Sequence, residues 1–490
     1  MYLMKVLAID IGASGGRAMI GSLHGRRIEI QEIHRFSNDP VMVGDTMYWD
    51  ILRLFHEIKQ SLIKSKQYGK VDSIAVDTWG VDFGLLDKSG SLLENPVHYR
   101  DKRTKGMLER SFEFLNKEEF YQITGNQFME INTAFQLLAL KEKRGEVLNR
   151  AGHMLLIPDL IHYFLTGKIK SEMSIASTTQ LFDMNKKTWA YPVIEKLGLP
   201  AGIFPELVPS GTVVGNLSKA ICTELGMDPV KVTAVCGHDT QSALAATPAK
   251  EKDFIFLSCG TWSLMGTELE QPLLNQKAER LNLTNEAGYD GKISLMKNMI
   301  GLWLVQESRR QWMREGKELN FGDLEQLAAE AEPFRFFIDP DDPVFTPAGN
   351  MPERIRNYCR RTGQQVPESE GEIVRCINES LAMKYRSARE QIEEAAGKKY
   401  GTIYMTGGGT KSRLLCAMTA NACGCLLSAG PAEATVLGNV AVQLIANGGI
   451  SSVKDAREMI AHSFFPEHYI PAEENHWNTA YKRFKEVMIC

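Results

Sequence analysis

Twice in this chain an apolar run rich in β-branched and aromatic residues ends in a glycine turn and resumes as a second apolar run. Near the N-terminus residues 6–21 read VLAIDIGASGGRAMIG, and in mid-chain residues 254–266 read FIFLSCGTWSLMG. Each outline predicts two strands joined by a tight turn, because such side chains suit a pleated surface and glycine supplies the turn geometry. One hairpin opens each half of the chain. That repetition predicts a duplicated α/β domain with a cleft between the two copies.

The stretch 232–265 holds the densest chemistry. The run 232–235 ends in Cys236-Gly237 and places His238, Asp239 and Thr240 ahead of a small-residue helix at 241–246; Pro248 breaks it before the second hairpin begins. A carboxylate at the C-terminal end of a strand, beside a helix N-terminus, lies where open α/β sheets bind ligands. From position alone, Asp239 fits that role or a helix cap, and His238 fits a ligand contact or a strand-end hydrogen bond.

A chain of 490 residues allows two to four domains with large cores. Lys+Arg 56 against Asp+Glu 60 gives a net charge of -4, without the basic footprint of a polyanion binder. No apolar run approaches the ~20 residues of a membrane span, and the N-terminus enters a strand without signal-peptide features. The odd count of nine cysteines, scattered through apolar stretches, predicts reduced thiols in a cytoplasm. Cys416, Cys423 and Cys425 lack a histidine at zinc spacing and read as core and loop thiols.

In chain order, a third strand is expected over 27–36. Asp50 would cap a helix with Ile51, Leu54, Phe55, Ile58 and Leu62 on one face. The stretch 71–87 reads as strand, turn and returning strand, with Asp77, Trp79 and Asp82 at a strand end where they would face a polar ligand or pack. From about 103 to 220 the pattern is mainly helical, with a helix start at Pro158-Asp159 and a stop at Thr166-Gly167. Residues 212–217 return as β structure, and the first half ends near 247. In the second half, 297–306 is expected to begin a long helix, and 340–371 to be an excursion or surface loop. A helix should run to about Ala396, with Ile373, Ile377, Leu381 and Tyr385 on one face. A strand at 402–406 then feeds Gly407-Gly408-Gly409 and a helix from Lys411. Glycines between a strand and a helix N-terminus let backbone approach an anionic or polar ligand, such as a nucleotide. Residues 433–439 open another small-residue helix, and about thirty C-terminal residues are expected to pack on the outside.

Several chemistries lack their motifs. There is no G-x-x-x-x-G-K-[ST] loop and no G-x-G-x-x-G after a strand. Gly12 to Gly16 matches G-x-S-x-G, but the nucleophile elbow needs a strand-to-helix turn and residues 17–20 read as a strand.

Asp10, Gly12 and Arg17, the second hairpin at Gly260 and the late triple glycine resemble the phosphate-binding hairpins and adenosine loop of the actin-like superfamily. More specifically, the chain resembles the FGGY carbohydrate kinases from Ala8 to about Ile445. The likeness is carried by AIDIGASGGR at 8–17, DTWGVDF at 77–83, YRD at 99–101, LSCGTWSLMG at 257–266, Lys297-Asn298 through Gln306, and Gly407-Gly408-Gly409. The resemblance implies an α/β fold of two actin-like (ribonuclease H-like) domains around a central cleft. It implies an N-terminal sugar-binding domain with a catalytic aspartate at 1–247 and a C-terminal nucleotide-binding domain at 248–490. The implied reaction is ATP-dependent phosphorylation of the 1-hydroxyl of L-rhamnulose. Another ketose, such as L-fuculose or D-xylulose, and a non-catalytic sugar sensor are the alternatives.

In that reading Asp239 is the base, and Gly80, His238, Asp239, Thr240 and Asn298 meet the sugar. Ala13, Ser14, Gly15, Gly16, Arg17, Gly260, Thr261, Gln306 and Gly408 hold ATP, and Asp10 orients Mg²⁺. The implied partners are ATP and a small ketose, with no nucleic acid and no membrane, in a monomer or weak homodimer. Some members of the family pair two cysteines beside the adenosine loop. Here Thr419 stands four residues before Cys423, so that disulfide is not expected.

Overall fold

A computed structural model describes residues 4–488 of the chain. Two compact units emerge, and neither is contiguous in sequence. The first comprises residues up to Lys250 together with Glu268–Leu295 and Ala434–Phe464; the second comprises Glu251–Thr267, Met296–Glu433 and residues from Phe465 onward.

The first unit is built on a six-stranded sheet in the order Thr212–Asn216, Lys231–Ala234, Ser73–Thr78, Lys5–Gly12, Gly15–His24, Arg27–Ser37. The first three strands in sequence form an antiparallel meander. Ser73–Thr78 then lies parallel to Lys5–Gly12 with Asp10 opposite Asp77, and Lys231–Ala234 adds parallel to Ser73–Thr78. The two central strands are buried almost end to end, as parallel strands covered on both faces must be. The helix Ile51–Ser65 carries its expected apolar face, with Asp50 accepting from Arg53 N at 3.1 Å. The helix Ala434–Ala446 packs on Asp239–Ala245 so closely that a Cβ on Gly438 would sit 1.7 Å from Ser242 O. That approach demands glycine.

The region expected to be mainly helical contains a strand, Ala151–Leu156, paired antiparallel with Phe83–Asp87. Its buried Met154, Leu155 and Leu156 form a short apolar run, which periodicity alone does not separate from a helix segment. The predicted helix start and stop at Pro158 and Gly167 bound Ile157–Thr166. Around these elements Phe120, Tyr121, Phe135, Leu156 and Phe182 form a separate core.

The second unit repeats the hairpin. Ile255–Cys259 pairs antiparallel with Trp262–Leu269 and parallel with Thr402–Thr406, which pairs parallel with Leu426–Ala429. Two expectations fail here. Lys297 and Asn298 lie in a strand, Ile293–Ile300, and the helix begins only at Trp303. The run ISLMKNMI has its buried residues in strand pairing, and Gly301-Leu302 make the turn. The excursion at 340–371 holds a helix, Met351–Arg361, which buries Met351, Ile355, Tyr358 and Cys359 and is capped by Asn350.

The helix expected to end near Ala396 is Glu370–Ala396, opened by a Ser369–Glu372 capping box and closed by Gly397 in the left-handed conformation. The C-terminal segment does more than cover the outside. Glu467–Tyr469 pairs with Leu426–Ala429, and helix Glu474–Val487 buries Trp477, Tyr481 and Phe484. Burial of the Phe484 ring contributes about 1.5–3 kcal/mol.

All eight described cysteines are free thiols, seven of them buried, Cys423 among them; Cys490 lies outside the described residues. No helix among the described residues is long and apolar enough to cross a membrane.

Candidate active site

In the first unit, three strand ends bring carboxylates together. Asp10 sits on Lys5–Gly12 and is 7% exposed. Its cross-strand partner Arg17 donates to Oδ2 through Nε at 3.0 Å and Nη2 at 2.8 Å. The turn that follows, Ala13-Ser14, is pinned from outside: Asn38 Nδ2 donates to Gly12 O at 2.9 Å and Asn38 N to Ser14 O at 3.3 Å. Ser14 is exposed at the tip, Gly15 is half-buried, and Gly16 is buried against Phe36.

Asp77, beside Asp10 on the parallel strand, is fully buried. Asn439 donates to its Oδ2 at 2.5 Å, and its Oδ1 meets no donor. Burial first, then the charge of Asp10, push its carboxyl well above the usual range; the hydrogen bond from Asn439 opposes the rise and the charge of Asp239 adds to it.

The loop after Ser73–Thr78 places Gly80 beside Thr178. Val81, the next residue, has φ 68°. For a β-branched residue this strain, of order 1–3 kcal/mol, persists only where the surroundings over-determine it. Here Val81 N donates to Thr178 Oγ1, while Thr133 and Gln136 donate to Val81 O. Asp82 and Trp79, read as candidates for facing a ligand, turn inward instead. Asp82 accepts from Trp49 Nε1 at 2.6 Å, Trp79 Nε1 at 2.9 Å, Gln136 Nε2 at 2.9 Å and Tyr99 N at 3.2 Å, and is 1% exposed. Burial raises its pKa to about 6 against these donors. Both residues hold the Gly80 loop in place.

His238 ends the third strand's extension and caps helix Asp239–Ala245. The backbone there is fixed: Gly237 N donates to Glu172 Oε2 at 2.9 Å, Thr78 N to Gly237 O at 2.9 Å, and His238 N to Ser174 Oγ at 3.3 Å. Asp239 is therefore the first helical residue and not the cap, which removes the capping explanation left open by sequence. Its side chain is 30% exposed yet densely surrounded by protein. Burial raises its pKa to about 6; His238 and hydrogen bonds from Thr240 oppose the rise and Asp10 adds to it.

His238 Nδ1 lies 2.7 Å from Glu286 Oε2, and Nε2 lies 3.4 Å from Asp239 Oδ1. Burial would lower the imidazole pKa, but Glu286, then Asp239 and Glu172, outweigh it and bring it to about 9. The ring is a cation at neutral pH. Thr240 Oγ1 donates to Asp239 Oδ1 at 3.3 Å. The first unit thus gathers Asp10, His238, Asp239 and Thr240. Asp77, expected to face a polar ligand or pack, belongs with them, and so does Glu286, which was not among the expected site residues. Asp77 carried a signal in sequence, an Asp at a strand end; Glu286 carried none.

In the second unit, the turn Gly260-Thr261 is clasped by the start of the helix Trp303–Arg314. Leu302 N donates to Gly260 O at 2.8 Å, and Gly301 N and Trp303 N donate to Thr261 O at 3.1 and 3.2 Å. Thr261 Oγ1 donates to Gln306 Oε1 at 3.2 Å. Gly260, Thr261 and Gln306 therefore form one cluster. Gly408 is exposed at the start of a 3₁₀ turn, Gly408–Lys411, directly after Thr402–Thr406, and the α-helix begins at Arg413 with Ser412 as cap. Gly407 and Gly409 lie against Cys259, which ties this glycine turn to the hairpin. Asn298 is half-buried on its strand.

The oxygen donors around Asp10 suit a hard divalent cation: an orphaned buried carboxyl oxygen on Asp77 and mutually repelling carboxylates are relieved by positive charge. No group of three or more His, Cys, Asp or Glu side chains among the described residues is arranged to hold a metal ion, so such a cation would keep part of its water shell.

Family models match both halves of the chain. That of the N-terminal domain of the FGGY family of carbohydrate kinases covers residues 5–246, and that of the C-terminal domain covers 255–447. The chain is 40% identical to a rhamnulokinase of Bacteroides thetaiotaomicron over 98% of its own length and 99% of the relative's. It is 38% identical to a rhamnulokinase of Pectobacterium carotovorum over 99% and 97%. Among solved structures, the ligand-bound xylulose kinase of Lactobacillus acidophilus superposes with a TM-score of 0.82 at 16% identity, covering 99% of this chain and 98% of that one. The gluconate kinase of the same organism superposes with a TM-score of 0.82 at 17% identity, covering 100% and 98%. The fold is thus α/β with two actin-like, sheet-containing domains, and with both domain models matched in order the chain belongs to the FGGY family of carbohydrate kinases.

Proposed function

We propose that the protein transfers the γ-phosphoryl group of ATP to the 1-hydroxyl of L-rhamnulose, giving L-rhamnulose 1-phosphate and ADP in the catabolism of L-rhamnose. The observation that carries the reading is Asp239: a partly open carboxylate poised at about pH 6 beside a cationic histidine, at a helix start. The near-full-length identity to rhamnulokinases supports the choice of sugar.

Phosphoryl transfer asks for positioning and charge stabilisation more than covalent help. The substrate oxygen attacks the γ-phosphorus, an O–P bond forms, and the bond to the β-γ bridging oxygen breaks with its electron pair leaving on ADP. The hydroxyl proton passes to Asp239, which is ionised above about pH 6. His238, as a cation, lowers the cost of that carboxylate and offers Nε2–H to a sugar hydroxyl, with Gly80, Thr240 and Asn298 as further contacts. In the domain at 1–247, Ala13 to Arg17 would receive phosphate oxygens through backbone N–H groups and the Arg17 guanidinium. In the domain at 248–490, Gly260 and Thr261 would do the same, Gln306 would hold the turn, and Gly408 would lie against the adenosine. Asp10 would hold Mg²⁺ through water, and that ion would supply neutralisation of the phosphate charge. The reading includes a cytoplasmic monomer or weak homodimer working without nucleic acid or membrane. The cysteines buried in apolar cores and the balanced charge support it.

The test is ATP-dependent phosphorylation across L-rhamnulose, L-fuculose, D-xylulose and L-ribulose with Mg²⁺ present. L-Rhamnulose should lead in kcat/KM. Another ketose far ahead would move the substrate and keep the mechanism. ATP binding with no turnover on any ketose would overturn the reading in favour of a sensor.

A further inference from the structure

Glu286 is buried on the strand Thr284–Ala287, and neither its position nor its surrounding sequence links it to the reaction. Its side chain is 5% exposed. An ionised carboxylate at that depth costs several kcal/mol unless its charge is matched and its oxygens are bonded. Two groups bond Glu286: His238 Nδ1 at 2.7 Å and Gln241 Nε2 at 3.1 Å. The amide is neutral, so the imidazole is the counter-charge. Gln241 is itself oriented, because Ser294 Oγ donates to its Oε1 at 2.8 Å, leaving its NH₂ for Glu286. The chain Ser294, Gln241, Glu286, His238 is satisfied throughout, the condition under which a buried polar network rigidifies a site.

The neighbouring acid does not compete for this role. Glu172 faces His238 from the cap of Met173–Ala176, yet it accepts from Ser174 N, Ser174 Oγ, Ile175 N, Ser210 Oγ and Gly237 N. Three of those bonds hold backbone and two hold serine hydroxyls. The remaining charge on His238 is Asp239 at Nε2, and Asp239 is in turn faced by Asp10 and Asp77 from the adjoining strands.

We propose that Glu286 is a positioning residue: its hydrogen bond to His238 Nδ1 fixes the imidazole so that Nε2 is directed at Asp239 and at the sugar hydroxyl. The ring nitrogen that meets the reacting group is set by what the other one bonds. The kinetic part of this inference rests on the kinase reading above. The structural part does not.

Two variants test it in the full-length protein. Glu286→Gln keeps the size and removes the charge. Nitrogen-15 NMR of the His238 ring should show a cation at pH 7.5 in the unsubstituted protein and a neutral ring in the variant. The kcat/KM for the ketose should fall about ten- to a hundredfold, as when the hydrogen-bond partner of a metal-bound histidine is removed, with the acid limb of its pH profile moved upward. Glu286→Asp keeps the charge but draws it back, so its ring should stay cationic while KM for the ketose rises at least about fivefold. A buried glutamate that merely stabilises the fold would lower the melting temperature and leave both pH profile and ring charge where they were, which overturns the proposal. If the gain or loss of ring charge follows the substitutions but the unsubstituted protein phosphorylates no ketose, the function proposed above falls and the positioning of His238 by Glu286 stands. If Glu286→Gln does not fold, Glu286→Asp decides: constants equal to those of the unsubstituted protein would overturn the inference.

Discussion

Lys5–Gly12 turning into Gly15–His24 and Ile255–Cys259 turning into Trp262–Leu269 follow one path, strand, glycine turn and antiparallel strand, each with a parallel neighbour on its other side. Their chemistry differs at matched positions. Two residues before the turn glycine, the first hairpin has Asp10 and the second Ser258. Across the antiparallel pair Asp10 meets Arg17 and Ser258 meets Leu264; across the parallel pair Asp10 meets Asp77 and Ser258 meets Thr406. The strand ends beyond them repeat the contrast: His238 and Asp239 in one unit, Gly407 to Gly409 in the other. One copy concentrates titratable charge, while the other offers neutral backbone and hydroxyl groups. In the proposed reading the same scaffold would supply the base, the cation site and one phosphate-binding turn in the first copy, and a second phosphate-binding turn with the adenosine contact in the other, a division that suits phosphoryl transfer.

The contrast breaks most sharply at Asp239, which has no charged counterpart in the second unit. Asp239→Asn should bind ATP with unchanged affinity by calorimetry and lose at least ~10²-fold in turnover, the usual range for a general base. The pH dependence sharpens the assignment. The carboxylate's pKa in the folded protein is about 6, raised by burial. The base works only when deprotonated, so kcat/KM should be flat above that value and fall about tenfold per unit as pH drops through it. An unsubstituted protein with no acid limb, or Asp239→Asn with full turnover, would remove Asp239 from the role.

A smaller effect separates the two hairpin strands directly. Asp10→Asn should raise the Mg²⁺ concentration for half-maximal rate at least about tenfold, because a hard cation loses its anionic oxygen and Arg17 loses its partner at 2.8 Å. Ser258→Ala, at the matched position, should change it by less than about twofold. Equal responses at the two positions would mean that the charge on the first hairpin has no metal to hold.

How much of this was legible follows from the range of the interactions. Both hairpins, the Asp50 helix cap and the strand 402–406 depend on neighbours within a few residues, and the sequence displays them. The helix Met351–Arg361 was also written locally, as Asn350 before Met351-Pro352 and an apolar spacing of three and four, but the proline and charge around it suggested a loop. Lys297 and Asn298 read as a helix start because the apolar strand Ile293–Ile300 leads through Gly301-Leu302 directly into the helix at Trp303, so the two elements share one apolar run. Asp82 and Glu286 lay beyond reach. Trp49 is 33 residues from Asp82 and His238 is 48 from Glu286, and nothing around either acid distinguishes a buried, bonded carboxylate from a solvated one. The return of Ala434–Phe464 to the first unit is of the same kind, resting on Gly438 against Ser242 and Asn439 against Asp77.

The smallest expected effect on catalysis, and the finest test of the comparison, comes from the glycines themselves. A Cβ on Gly16 would stand 2.3 Å from the Phe36 ring, and Phe36 is 8% exposed, with little room to retreat. On Gly260 the nearest neighbour of a Cβ is Trp262 O at 3.6 Å, an ordinary contact. Gly16→Ala should therefore cost about 1–3 kcal/mol in urea unfolding, as overpacking does. Gly260→Ala should unfold at the same urea concentration as the unsubstituted protein and bind ATP more weakly, because the added methyl narrows the approach of a phosphate to the turn. If instead Gly260→Ala is the less stable protein and binds ATP as tightly as the unsubstituted one, the cradle assigned to the second hairpin is wrong, and the likeness of the two turns stops at the path of the backbone.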